Sequence, residues 1–163
     1  MGILDMFENV EVPEEVEVLE GRPEDRIRER LAPILAKPGA ENYYHLAQRD
    51  LNFSPEKVAG YSGSSNIMHR QFFSPVTGEN FGKMGTGAIE ADPLYGSGVY
   101  EYLGLLGDLR FDADAVKNAR ASLEKTPGIN EYSVLGGHNC IDFSMDMLDE
   151  MMRQKTGEGI GWR

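Results

Sequence analysis

The sequence predicts an α+β fold: a small antiparallel sheet packed on a buried, cysteine-bearing helix, with a mostly helical N-terminal region. Three observations predict it. Ile27, Leu31, Ile34 and Leu35 recur at helical spacing early in the chain, and Ile141, Met145, Leu148 and Met152 do so near its end. Between about 66 and 90 the pattern changes to short runs rich in aromatic and apolar residues, divided by clusters of turn-forming residues. The composition shifts near Tyr61, where glycine and strand-favouring residues take over.

Length and charge bound the reading. The chain has 163 residues, 40% hydrophobic and 26% charged, which suits one domain with its own core. Residues 1–22 form an acidic arm in which Val10, Val12, Val16 and Val18 alternate with glutamates around Pro13, and residues 23–163 form a single α+β domain. Sixteen basic against twenty-seven acidic residues give a net charge of −11, which repels phosphate backbones and anionic membrane surfaces. Nucleic acid is therefore not an expected partner; a basic or inhibitory protein partner is the complementary one. A single cysteine excludes an internal disulfide and any Cys-cluster zinc or iron–sulfur site. No apolar run approaches the ~20 residues of a membrane span, and the N-terminus lacks a secretory pattern, so the expectation is a soluble protein made in the cytoplasm.

The elements follow in order. Pro23, with Glu24 and Asp25 in the first turn, opens a helix that Pro33 kinks or splits and that ends by Pro38. A second short helix is expected over 40–50, carrying Tyr43, Tyr44, His45 and Leu46, and a third starts at Ser54-Pro55-Glu56. Residues 66–73 and 81–84, separated by the turn cluster at 74–80, read as a hairpin, and 88–90 as a third strand stopped by Asp92-Pro93. The mixture of tyrosine, leucine and glycine over 99–109 leaves strand and helix both open. Asp112 caps a helix with Val116, Ala119 and Leu123 inward, stopped by Pro127-Gly128. Gly82, Gly85 and Gly87 match neither GxGxxG nor GxxxxGK[ST], so no nucleotide loop and no cofactor is expected.

Cys140 is the candidate nucleophile. It stands at the mouth of the last helix, after Gly136-Gly137 and behind Asn139, a suitable N-cap; a thiol there feels the helix dipole and unpaired N–H groups, which favour thiolate. Asp142, two residues on, pulls the other way. A lone cysteine is also, more ordinarily, a small buried hydrophobe. A base must come from His45, His69 or His138, all of which precede Cys140 and so exclude the usual papain order. His69, on a strand, ranks first as a rigid mount. His45 ranks second, and His138, two residues from the cysteine, third.

The order of a His-bearing strand, a hairpin, a helix over 112–125, then Tyr132, Val134, Leu135, Asn139, Cys140 and Phe143 resembles the circularly permuted papain-like enzymes, which include permuted NlpC/P60 hydrolases and lecithin-retinol-acyltransferase-like proteins. The resemblance spans roughly 66–152. It departs from the pattern at Met68, where a small residue is expected before the base, and it identifies no third polar residue beyond the candidates Asn80 and Glu90. It implies a thiol hydrolase, amidase or acyltransferase: His69 takes the thiol proton, Cys140 attacks an amide or ester carbonyl, and helix-start N–H groups stabilise the oxyanion. The implied substrates are peptide, peptidoglycan or lipid, and analogy extends to an effector delivered by a dedicated secretion system. The competing class is a non-catalytic acidic α+β protein-binding module, in which Cys140 and the methionines fill the core. A metal hydrolase lacks any HExxH or clustered ligand spacing, so no metal ligand is expected.

Overall fold

The computed structural model describes residues 23–50, 68–102, 106–133 and 138–163. In order these form α1 (Pro23–Leu31), a 3-10 turn (Ala32–Ile34), β1 (Tyr43–Asp50), β2 (Met68–Phe73), β3 (Asn80–Lys83), β4 (Ile89–Glu90), β5 (Glu101–Tyr102), β6 (Phe111–Asp112), α2 (Ala113–Glu124) and α3 (Cys140–Thr156). The architecture is α+β, with α3, the helix that begins at Cys140, packed on the sheet. The expected arm over 1–22 and the helix start at Ser54 lie outside the described residues.

The strands make one six-stranded antiparallel sheet of order β4-β3-β2-β1-β5, with β6 pairing the other end of β1. β1 corrects the helix expected over 40–50: Tyr43–Asp50 is the central strand, paired with the whole of β2 from His45↔Phe73 to Asp50↔Met68. The misreading has a physical cause. A strand covered on both faces does not alternate cleanly between apolar and polar. Here Tyr44 and Leu46 face the helices while Ala47 and Arg49, also buried, face the other way. Of the open stretch over 99–109, Glu101–Tyr102 is the short strand β5, and β6 follows the stretch at Phe111–Asp112.

α2 and α3 cover one face of the sheet. Phe72 stacks on Phe81 with ring centroids 5.4 Å apart, and Phe143 of α3 meets Phe81 edge-on at 6.4 Å. Met147, Leu148 and Met151 continue the stripe with no exposure, so these methionines are core. Pro33 splits the first helix, as its missing N–H and ring bulk require: α1 stops at Leu31 and a 3-10 turn follows.

Both ends of α3 are tied. The Asn139 side chain accepts from the Asp142 N–H at 2.9 Å, and the Asp142 carboxylate accepts from the Asn139 N–H at 3.1 Å, a reciprocal capping box. At the other end Gly157 takes the left-handed conformation, φ 88°, and its N–H returns to the Arg153 carbonyl. Asn139→Ala is expected to cost about 1 kcal/mol of folding stability, measured by urea unfolding; an unchanged midpoint would mean that the cap does not support the helix.

Candidate functional site

Side chains of successive strand residues leave opposite faces of the sheet. On β2 this puts Arg70 and Phe72 on the helix face and His69, Gln71 and Phe73 on the other. The β1 register agrees: His45 pairs with Phe73 and Arg49 with His69 on the face opposite α2 and α3. Two groups of functional side chains result, one on each side.

On the helix side, Cys140 is 2% exposed and its thiol donates to the Met68 carbonyl at 3.1 Å. Burial pushes its pKa up, outweighing the N–H of Arg70, the Tyr132 side chain and the Arg70 charge, all of which favour thiolate. A thiol that donates to a carbonyl is a protonated thiol. Desolvation, which the sequence could not weigh against the dipole and the Asp142 carboxylate, is the largest influence on the thiol. Asp142 spends its charge on the cap. Arg70 is itself 6% exposed, and its Nε and Nη1 have no hydrogen-bond partner among the described residues; burial pushes its pKa down to about 10.

On the other side lies a connected polar network. His69, 2% exposed, makes a 2.8 Å hydrogen bond from Nε2 to Gln71 Oε1. Gln71 Nε2 in turn donates to Asn80 Oδ1 at 2.8 Å and to the Glu90 carbonyl at 3.2 Å, and Asn80 Oδ1 also accepts from the Asp92 backbone N–H. A backbone N–H is always a donor and a carbonyl always an acceptor, so these two groups fix both amides. Gln71 must present oxygen to the imidazole, and neutral His69 carries its proton on Nε2. Burial and the nearby Arg49 charge hold its pKa below the ordinary value, despite Gln71 and Asp92. Gly82 belongs to this arrangement, since a Cβ there would fall on Gln71 Oε1.

Beside the network, Arg49 Nε pairs with Asp92 Oδ2 at 2.6 Å, with side chains 7% and 1% exposed. Tyr100 donates its hydroxyl to the same carboxylate oxygen, and the Leu94 N–H reaches the other at 3.0 Å. Tyr100, Tyr95 and Phe73 then line an open pocket of about 240 Å³ with Leu46, Ala47, Glu101 and Gly107.

The expected catalytic pair is not brought together. His69 turns away from Cys140 across the thickness of the sheet, its Nε2 held by Gln71. His45 lies on the same far face, its ring 5.5 Å from Phe73 and beside the Gly107 and Leu109 backbone. His138 is exposed, whereas Cys140 is enclosed. No hydrogen bond joins the thiol to a histidine among the described residues. The Asn80 side chain and the Glu90 backbone carbonyl meet Gln71 rather than His69, and Gln71 is the residue the sequence reading missed although period two places it on the face of His69. Arg49 and Asp92 were also missed, since their pairing is a contact between residues 43 apart. None of the described helices is long and apolar enough to cross a membrane. No protein-family model, no curated protein and no solved structure matches this chain.

Proposed function

We propose that the chain is a non-catalytic α+β module that binds a basic protein partner through the face of its sheet opposite α2 and α3. The observation that carries this reading is the open aromatic pocket of Phe73, Tyr95 and Tyr100, on a face that none of the described helices covers. Sites of this kind, mostly apolar with a few fixed polar groups, are where ligands gather. The charge of −11 selects the sign of the partner. In this reading the Arg49–Asp92–Tyr100 cluster keeps the pocket in shape, and Cys140 is a core residue that closes α3 onto β2. The test is titration with a lysine-rich peptide and with a glutamate-rich control of equal length. The basic peptide is expected to bind and to weaken as salt rises, because exposed charges are screened beyond about 8 Å at physiological ionic strength. Equal affinity for both peptides, or none for either, would sink it.

The cysteine hydrolase or acyltransferase implied by the permuted papain-like resemblance is the second reading. One observation favours it: the thiol occupies the first turn of a 17-residue helix with the Arg70 charge beside it. Thiol labelling separates the two. A protonated, enclosed Cys140 is expected to react with a neutral alkylating reagent many times more slowly in the folded protein than in urea. Labelling at the unfolded rate near neutral pH would return the enzyme reading.

A further inference from the structure

We infer that the pocket formed by Phe73, Tyr95 and Tyr100 receives a side-chain alkylammonium, that of a lysine or methylated lysine on the basic partner. This rests on the binding-module reading and names the group that the pocket takes. The three rings form a continuous aromatic wall: Phe73 and Tyr95 have centroids 5.3 Å apart and tilted by 41°, and Tyr95 and Tyr100 meet edge-on at 6.0 Å. The faces of such rings carry partial negative charge and attract a cation placed over them, most of all one whose methyl or methylene groups also bury apolar surface. Ala47 and Gly107 add small apolar walls, no basic side chain among the described residues lines the pocket, and the exposed Glu101 borders it.

The wall is held before any ligand arrives. The Tyr100 hydroxyl is bound by Asp92, whose same carboxylate oxygen also pairs with Arg49. The Tyr95 N–H returns to the Asp92 carbonyl at 3.0 Å, closing the turn that carries its ring. Phe73 extends from β2 and packs on His45. Rings fixed in this way lose little freedom on binding, which favours even a small ligand. A purely apolar side chain would fill the same space, so what separates the two occupants is the charge.

The experiment uses a matched pair of small probes, choline and 3,3-dimethylbutan-1-ol, which differ by replacement of the quaternary nitrogen with carbon. Each is titrated into the whole chain at constant ionic strength while the ring resonances of Phe73, Tyr95 and Tyr100 are followed by NMR. Choline is expected to saturate these shifts at roughly tenfold lower concentration than the alcohol, the ratio a partly desolvated cation–π contact gives. Tyr95→Leu, which keeps an apolar wall but removes a ring, is expected to abolish that preference with the fold intact by amide shifts. Equal shifts by both probes, or none by choline, would overturn the assignment. So would a lysine-rich peptide that binds wild type and Tyr95→Leu alike; that result leaves the binding module standing, whereas a protein that ignores basic peptides altogether loses both.

Discussion

Asp92→Ala is expected to destabilise the fold by about 3–5 kcal/mol, the range found when one partner of a buried ion pair is removed and the other charge stays behind. The carboxylate is almost wholly enclosed and meets the Arg49 guanidinium, the Tyr100 hydroxyl and the Leu94 N–H, so its loss strands several donors together. Asp92→Asn, which keeps the shape without the charge, should fall between. Urea unfolding followed by circular dichroism measures both, and a change below about 1 kcal/mol for Asp92→Ala would show that Arg49 finds other support.

The same group sets a pH dependence. Burial alone would raise the Asp92 pKa, but hydrogen bonds from Tyr100, Arg49 and Leu94 and the Arg49 charge hold it below the usual carboxylate value. A carboxyl group lowered on folding contributes stability that is complete above its unfolded pKa, about 3.9, and is lost as pH falls through the lower folded value. Wild type should therefore lose stability in acid below about pH 4 more steeply than Asp92→Asn does.

Phe143→Ala is expected to cost about 3–5 kcal/mol, lowering the melting temperature by roughly 6–20 °C in a chain of this size. Phe143 is 2% exposed and carries the contact between α3 and the Phe72–Phe81 stack. Its removal leaves a void bounded by a helix and a sheet, neither of which can collapse onto the other without shifting the rest of the methionine stripe. A shift of only a degree or two would mean that the helix is not seated by this ring.

The fold class and the local punctuation were legible because they are written in neighbouring residues. Asn139 and Asp142 are three apart, so the start of α3 could be read from the chain; so could the split at Pro33 and the cap at Asp112. The turn at 74–80, with Gly78 returning its N–H to Ser74, likewise announces the β2–β3 hairpin. β1 was not legible, because a central strand buried on both faces loses the alternation that marks a strand.

For the site, sequence determined the inventory: one thiol, three imidazoles and an excess of acid. Only the tertiary structure decided which of them meet. Alternation along β2 fixes that His69 and Arg70 face opposite ways, but which face α3 covers depends on where Phe72 and Phe81 bury their rings. That choice sends Arg70 to Cys140 and His69 to Gln71. The polar network and the aromatic wall join β1, β2 and the turn after β4 across sheet register, and register is set by the burial of whole strand faces, which no short stretch of sequence contains.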